Sequence, residues 1–423
     1  MQMCEDSQSR AQTVAQVTGA LEGRPGRFAI TNARKVDAQG IEDDFWLISL
    51  GGRIEATGCG LAEFEATCRK LGMDPADGSL VRDAQGRVLT PGYIDIHSHG
   101  SWEYSFDDGP QAIDTARAGH AVHGTTRQVL SLITNPMNDI CDNLRTVRSK
   151  MDTRPDILGA HLEGPFLALT RKGAHDPQCL RDPEPALVDQ LLEAADGCIR
   201  QITIAPELPH GLSAIRQFAD AGVVPAVGHS DAGYEIAQKA FNAGAGIMTH
   251  MFNAMNGLHH RKPGPIPAAV EDPRVVIELI NDGFHVQDPM LKLGFDFAPH
   301  RVAFITDSMA ATGCPDGAYK LGALDVDVED GHARLVSNGA IAGSTLLLEV
   351  AIQRAVLELG IAPALAIEAA TLTPAKAFGF DRPNPVTGVP LGLLAPGYAA
   401  DILLTDPASW AVQDVWCAGR KLR

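Results

Sequence analysis

PGYIDIHSHG, residues 91–100, joins an apolar run to two histidines one position apart. Residues 93–96 predict a buried strand, and positions i and i+2 of a strand point to the same face. His97 and His99 therefore leave the strand on one side. A lone His-x-His pair is more often a chance pairing than a metal site, so its meaning depends on the rest of the chain.

Seven further apolar runs follow, separated by segments of helical period such as EPALVDQLLEAAD and LSAIRQFADAG. Strands that alternate with helices in this way predict an α/β fold, a (β/α)8 barrel of the TIM type. The active site of such a barrel gathers at the C-terminal ends of the strands. The eight predicted strands are residues 93–96, 128–133, 157–161, 199–205, 223–228, 245–250, 275–280 and 302–306.

Ionisable residues stand at the ends of these runs, which a barrel brings to one rim. They are His97, His99, His161, Glu163, His229, His250, Asp282, His285 and Asp307. We interpret His161 as a hydrogen-bonded core histidine, and Asp282 has an alternative role as the cap of the turn at Gly283. Seven other histidines lie in predicted helices or loops and are predicted to be solvated: His120, His123, His210, His259, His260, His300 and His332.

The converging set mixes imidazole and carboxylate without thiolate, which suits a borderline divalent ion, Zn²⁺ first and Fe²⁺ as an alternative. Such a site, open to a cleft, is typical of a catalytic metal. The ion lowers the pKa of a bound water and supplies hydroxide as the nucleophile. An acid beside it can take the proton of the water and return it to a leaving group. Asp307, after the last strand, is the candidate for that role.

Composition restricts the class of partner. Hydrophobic residues make up 45% and charged residues 21% of the 423 residues, as in a globular enzyme with a large core. The formal net charge of −17 argues against nucleic acid and anionic membrane as partners. The eight cysteines are scattered, without a zinc-ribbon or disulfide framework. No signal-peptide core and no run of 18 apolar residues is present, so we expect a cytoplasmic protein.

The chain ends predict a second, smaller domain. Residues 28–90 read as strands with a helical insert at 61–80, and residues 381–423 read again as short strands separated by turns. We therefore expect a small β-sandwich built from both ends around a catalytic barrel at residues 91–380. Residues 1–27 are predicted to be a weakly ordered tail or a short helix.

Eight motifs, in order, resemble those of the N-acetylglucosamine-6-phosphate deacetylases, a family of the amidohydrolase superfamily. They are HLEGPF, RKGAH, VGHSDA, THMFNAM, RKPG, NDGFH, ITDSMAATG and IAGSTLLL. The resemblance runs from about residue 28 to the C-terminus. It implies a metal-dependent hydrolase of a linear amide C–N bond, which converts N-acetylglucosamine-6-phosphate to glucosamine-6-phosphate and acetate.

The resemblance also implies roles for individual residues. Glu163, His229 and His250 would hold the main ion, and His97 with His99 would decide whether a second ion joins it. Asp307 would be the general base and acid, and His175 would stabilise the oxyanion with the metal. The implied substrate contacts are Ala174, Asn253, Ala254, Arg261, Asp282, His285, Ala342 and Gly343. Arg261 would bind the phosphate from across a dimer interface, so the resemblance implies a homodimer.

Three alternatives remain open. The substrate could be a related amino-sugar phosphate such as N-acetylgalactosamine-6-phosphate. A cyclic amidase is disfavoured, because such enzymes usually carry a lysine after the fourth strand, where this chain reads TIAPE. A catalytically silent barrel is disfavoured by Asp307, since a silent copy has no reason to keep the acid together with the ligands.

Overall fold

Parallel strands alternate with helices in the middle of the chain, and both chain ends contribute to a second sheet. The computed structural model describes residues 7–423. The helices are α1 (Ser7–Glu22), α2 (Leu61–Lys70), α3 (Pro110–Ala121), α4 (Met137–Met151), α5 (Pro185–Ala195), α6 (Gly211–Asp220), α7 (Tyr234–Asn242), α8 (Ile266–Glu271), α9 (Asp288–Phe297), α10 (Leu348–Gln353), α11 (Pro363–Ala370) and α12 (Leu372–Ala377).

The strands are β1 (Phe28–Asp37), β2 (Gly40–Leu50), β3 (Arg53–Cys59), β4 (Val81–Asp83), β5 (Val88–Pro91), β6 (Tyr93–Asp95), β7 (Gly100–Ser101), β8 (Tyr104–Ser105), β9 (Thr125–Ile133), β10 (Ile157–Glu163), β11 (Ile199–Ile204), β12 (Val224–Val227), β13 (Ile247–Met248), β14 (Val276–Ile280), β15 (Val302–Ile305), β16 (Gly317–Leu321), β17 (Leu324–Glu329), β18 (His332–Leu335), β19 (Ile402–Thr405), β20 (Val412–Cys417) and β21 (Arg420–Lys421).

The barrel consists of eight parallel strands in the order β15-β14-β13-β12-β11-β10-β9-β6. Every residue of β9 and β10 is buried, as expected for strands with helices outside and packed side chains inside. Each predicted run overlaps one of these strands, so the predicted (β/α)8 barrel is confirmed. The predicted sixth strand, residues 245–250, is shorter than expected, because the chain turns out of the ladder after Met248.

Side-chain and backbone hydrogen bonds join the ends of the first and last strands of the barrel. The Thr306 hydroxyl donates to Asp95 Oδ2 over 2.6 Å, and the Asp307 amide donates to the His97 carbonyl over 2.9 Å. The Ser98 and Ser308 hydroxyls lie 2.8 Å apart. These contacts bring the His-x-His segment and the Asp307 segment together at one rim.

The chain ends form a second sheet of eight strands, in the order β21-β20-β19-β5-β1-β2-β3 with β4 beside β1. Its centre is the antiparallel pairing of β5 with β19, which joins the two ends of the chain. An ion pair fixes this sheet to the barrel, since Arg127 Nε of β9 lies 2.6 Å from Asp401 Oδ2. The predicted β domain built from both chain ends is confirmed, and α2 forms the helical insert.

The segment before β1 is the helix α1 over residues 7–22, so the structure has the second of the two predicted alternatives there. Val17 and Leu21 are buried in the main core, and Gln16 Nε2 donates to the Leu422 carbonyl over 3.1 Å. Residues 1–6 of the predicted tail lie outside the described residues. Within residues 7–423, no helix has the length and apolarity that a membrane span needs.

A three-stranded sheet, β16 to β18, follows the last barrel strand and was not foreseen from the sequence. Its apolar face, which includes Leu321 and Val326, packs in one cluster with Ile133 and Ala174 beside the strand ends. The sheet therefore covers one side of the barrel mouth. It supplies walls that the barrel strands alone do not provide.

Candidate metal centre and active site

The Glu163 carboxylate, at the end of β10, lies among four histidines from other strand ends. Its Oε1 atom is 3.1 Å from His229 Nε2 and 3.2 Å from the Nε2 atoms of His250 and His97. Its Oε2 atom is 3.0 Å from His99 Nε2. All five side chains are buried. The structure therefore brings together the strand-end residues that the sequence predicted to meet at one rim.

These side chains form two adjacent groups that share Glu163. In each group, the potential ligand atoms lie within 4.8 Å of one another. The first group is Glu163, His229 and His250, and the second is His97, His99, Glu163 and Asp307. The Asp307 carboxylate, a member of the second group, lies with Oδ1 at 3.4 Å from His99 Nε2 and 3.5 Å from His97 Nε2.

The backbone turns sharply where the barrel strands deliver these side chains. His229, His250 and Asp307 have φ values of 48°, 25° and 49°, in the left-handed region that non-glycine residues rarely adopt. Such conformations are strained and persist only where the surroundings impose them. Gly164 after Glu163 has φ 95°, and a Cβ atom there would lie 2.1 Å from Thr134 Oγ1. These turns therefore direct the side chains of His229, His250 and Asp307 towards one another, and the strained backbone is the energetic cost.

A buried carboxylate that sequence reasoning missed orients two of the histidines. Glu278, within β14, accepts from Gln201 Nε2 over 2.8 Å, and its Oε2 atom is 3.1 Å from both His97 Nδ1 and the His250 amide. A carboxylate bound to the second nitrogen of a ligand histidine fixes its tautomer and ring plane. The sequence did contain a signal for this residue, because Glu278 is the one charged residue inside the apolar run VVIELI, residues 275–280.

The charges of these side chains favour replacement of their bound protons by a metal cation. Burial raises the pKa of Glu163, but His97 and the other histidines hold it well below its usual value. Burial lowers the pKa of His99, but the carboxylates of Asp307 and Glu163 raise it overall to about 9. His97 Nε2 is buried and lies 3.2 Å from Glu163 Oε1 without forming an aligned hydrogen bond. A divalent ion would replace the protons that otherwise balance these carboxylates, so the donor set fits a metal.

The layer beneath the rim contains two further histidines. His161 is buried between Ser131 Oγ, 2.9 Å from Nδ1, and Thr203 Oγ1, 2.8 Å from Nε2, so its interpretation as a hydrogen-bonded core histidine is confirmed. The prediction of a solvated His120 is wrong. This ring is buried on the inner face of α3, 3.1 Å from the Gly100 carbonyl, and burial lowers its pKa to about 3.

The other predicted-solvated histidines differ in exposure. His123 is half-buried, and its Nδ1 atom is 2.6 Å from Glu349 Oε2. The remaining five are exposed, as expected: His210, His259, His260, His300 and His332.

A cavity of about 240 Å³ opens above Asp307 and the two groups. Of the predicted substrate contacts, Ala174, Asn253, Ala254, His285 and Gly343 line it, together with His175. Three lining residues were missed, and all are apolar: Ile133, Leu321 and Ile341. Leu321 belongs to β16, so no reading of the barrel strands could have identified it.

Three predicted contacts do not line the cavity. Ala342 is fully buried, because its amide donates to the Ala333 carbonyl and its side chain packs in the core of the β16–β18 sheet. Arg261 is exposed on a loop, with NH1 at 2.7 Å from His260 Nε2. Asp282 stands behind His285.

Asp282 holds the segment that carries His285. Its Oδ1 atom accepts from the amides of Phe284 and His285 over 2.8 Å each, and Oδ2 lies 2.6 Å from His285 Nδ1. The alternative reading of Asp282 as a turn cap is confirmed, and the carboxylate also fixes the imidazole. Burial raises the pKa of Asp282, but the contact with His285 lowers it overall.

Comparison with known proteins identifies the family. The Amidohydrolase family pattern matches residues 88–422. The chain is 37% identical to N-acetylgalactosamine-6-phosphate deacetylase of Escherichia coli O157:H7, over 80% of this chain and 88% of that protein. It is 34% identical to N-acetylglucosamine-6-phosphate deacetylase of Vibrio furnissii, over 78% and 82% respectively.

Solved structures agree with this assignment. A mutant N-acetyl-D-glucosamine-6-phosphate deacetylase from Mycobacterium smegmatis, in complex with N-acetyl-D-glucosamine-6-phosphate, has a TM-score of 0.83 at 36% identity. The N-acetylglucosamine-6-phosphate deacetylase of Pasteurella multocida has a TM-score of 0.85 at 26% identity. Both comparisons cover 94% of this chain and 99% of the other. The resemblance noted in the sequence is confirmed: the chain belongs to the amidohydrolase family.

Proposed function

We propose that the protein hydrolyses the acetamide of N-acetylglucosamine-6-phosphate to glucosamine-6-phosphate and acetate. The observation that carries this proposal is the Asp307 carboxylate beside two ligand groups that share Glu163, at the mouth of a barrel similar to those of named deacetylases. N-acetylgalactosamine-6-phosphate is the second candidate, because a relative at 37% identity carries the name of that deacetylase. The two substrates are epimers, and the chemistry at the acetamide is the same.

The proposed cofactor is Zn²⁺, with Fe²⁺ as the alternative, since imidazole and carboxylate ligands suit both ions. Glu163, His229 and His250 would hold the first ion. His97 and His99, with Asp307 and the shared Glu163, would hold a second. A divalent ion at such a site polarises the amide carbonyl and lowers the pKa of water.

Asp307 is the proposed general base and acid. Burial raises its pKa, but His97 and His99 lower it overall to about 2, so the side chain meets the substrate as a carboxylate. It takes a proton from the attacking water and delivers that proton to the amine nitrogen as the C–N bond breaks. Acetate and the free amino sugar are the products.

His175 is the proposed donor to the oxygen of the carbonyl under attack. Its Nδ1 atom lies 3.0 Å from Thr134 Oγ1, and that hydroxyl is also 2.9 Å from the Glu163 carbonyl. Thr134 has one proton to give. When it is donated to His175 Nδ1 instead of to the Glu163 carbonyl, the neutral ring keeps its proton on Nε2, which borders the cavity and lies 3.4 Å from Glu163 Oε2.

The cavity has a polar and an apolar side, which orients the substrate. Asn253 and His285 offer polar groups after the sixth and seventh barrel strands. Ile133 and Leu321 lie on the opposite side, and Ile133 is the register neighbour of Glu163. The sugar hydroxyls suit the first side. The acetyl methyl group suits the second, where burial of apolar surface is favourable.

The phosphate needs a cation that the described cavity lining does not contain, since none of its residues is lysine or arginine. Arg261 is exposed, and its guanidinium can bind a phosphate through two hydrogen bonds. We propose a homodimer in which Arg261 of each chain reaches the cavity of the other. A cytoplasmic location is part of the proposal, because a charged sugar phosphate does not cross a bilayer unaided.

Acetate release tests the activity. We expect the Zn²⁺-loaded protein to release acetate from N-acetylglucosamine-6-phosphate with a higher kcat/KM than from the galactosamine epimer. Asp307→Asn should lower kcat at least about 100-fold, because proton transfer by a positioned group contributes about 10²- to 10⁴-fold. Asp325→Asn is the control, since that side chain is 71% exposed and lies outside the cavity. No acetate from either epimer, or full activity of Asp307→Asn, would contradict the proposal.

Metal content tests the shared carboxylate. We expect two divalent ions per chain in the wild type, one in His99→Asn and almost none in Glu163→Ala, because only Glu163 belongs to both groups. Elemental analysis after gel filtration measures the ratio, with the exposed His332→Asn as control. A Glu163→Ala protein that retains the metal content of the wild type would refute the assignment.

Mixing two impaired variants, Arg261→Ala and Asp307→Asn, tests the position of Arg261. Arg261→Ala alone should raise KM strongly, because it removes the phosphate contact. In a heterodimer with Asp307→Asn, the Arg261→Ala chain keeps Asp307 and receives an intact Arg261 from its partner. Co-refolded equal mixtures should regain about a quarter of the wild-type activity, as random pairing makes half of the dimers mixed with one good site each. A mixture no more active than its components, or a monomeric wild type in light scattering, excludes the crossing.

A further inference from the structure

The Arg10 side chain of α1 contacts segments at the rim of the active site. This side chain is 10% exposed, and its Nη2 atom donates to the Gly313 carbonyl over 2.9 Å. Its NH1 group lies 3.6 Å from Glu103 Oε1, and the guanidinium carbon lies 5.8 Å from the centre of the Trp102 ring. Arg10 therefore contacts two segments at once: the one that follows His99 and the one that follows Asp307.

These two segments are joined by backbone hydrogen bonds along their length. Four amides of the first donate to carbonyls of the second: His99 and Gly100 to Ser308, at 2.8 and 3.2 Å, Glu103 to Ala310 at 2.7 Å, and Trp102 to Thr312 at 2.9 Å. The ladder begins at His99 and next to Asp307. It ends at the Trp102–Glu103 turn and at the Thr312 carbonyl, one residue before the Gly313 carbonyl that Arg10 contacts.

The turn between β7 and β8 is conformationally strained. Trp102 and Glu103 have φ values of 52° and 76°, two successive non-glycine residues in the left-handed region. Such a turn persists only where its surroundings hold it. The Trp102 indole packs against Gly313, where a Cβ atom would lie 2.8 Å from Nε1. Arg10 contacts Trp102, Glu103 and Gly313, and so covers the outer side of this contact.

We propose that Arg10 is a positioning residue for the second ligand group. It fixes the β7–β8 turn against the Asp307 segment, and the ladder passes that constraint to His99 and Asp307. Arg10 does not line the cavity, so it acts through these segments and not on the substrate. Its planar guanidinium suits the task, because it can stack on an indole and donate to a carbonyl and a carboxylate together.

Arg10 could instead serve only to dock α1 on the barrel. Other residues of the helix provide that docking, so the two roles can be tested separately. Val17 and Leu21 anchor the helix in the core, and Gln16 donates to the Leu422 carbonyl. Among the hydrogen bonds of the described residues, Gln16 makes none to the two active-site segments. Gln16→Ala weakens the docking of the helix and leaves the Arg10 contacts in place. It is the matched control for Arg10→Ala.

The test uses full-length, Zn²⁺-loaded protein. Arg10→Ala should lower kcat about tenfold with KM changed less than about twofold, because small misplacement of a catalytic group costs rate and not binding. Amide hydrogen exchange should accelerate in residues 99–105 and 307–314. Arg10→Lys should recover part of both, since an ammonium can still donate to the Gly313 carbonyl. Gln16→Ala should match the wild type in both measurements.

Two results would overturn the inference: an Arg10→Ala protein with wild-type kcat and exchange, or a Gln16→Ala protein with equal losses. The kinetic half rests on the proposed deacetylation, whereas amide exchange needs no substrate. Faster exchange in Arg10→Ala, with a wild type inactive on both epimers, would support the positioning role and refute the proposed function. If Arg10→Ala does not fold, Arg10→Lys decides by the same two readouts.

Discussion

The Glu163 carboxylate is the contact on which the rest of the site depends. Its two oxygens face histidines from the ends of β6, β12 and β13, and it is the member common to both ligand groups. Four imidazoles around one buried carboxylate are stable only with protons or a cation to balance the charge. The barrel supplies the geometry, because parallel strands deliver their ends to one rim.

Support for this centre comes from elements around the strand ends. Glu278 fixes His97 from below, and Arg171 fixes His229, whose Nδ1 atom lies 2.8 Å from the Arg171 carbonyl. The β16–β18 sheet closes one side of the cavity, and α1 reaches the segments after His99 and Asp307 through Arg10. The left-handed turns at His229, His250 and Asp307 are held by this surrounding packing.

The sequence predicts the barrel and the polar residues that meet at its rim, because both depend on local order. A polar residue that directly follows a barrel strand lies at the rim, because the strand sets its position. The rim positions of Glu163, His229 and Asp307 could therefore be predicted. Contacts between distant segments could not. The burial of His120 depends on which face of α3 packs inward, and Leu321 enters the cavity from a sheet outside the barrel. Ile341 rather than Ala342 faces the cavity, because the register of one turn decides it.

The most direct measurement is element-specific anomalous diffraction from crystals of the Zn²⁺-loaded protein. The account predicts two peaks at the barrel mouth, about 3.5–4 Å apart as in two-metal sites, with oxygens of Glu163 within ligand distance of both. It predicts one peak, beside His229 and His250, when His97 and His99 are both replaced by asparagine. Anomalous density that no Glu163 oxygen contacts, or none at the barrel mouth, would contradict the central role of this carboxylate.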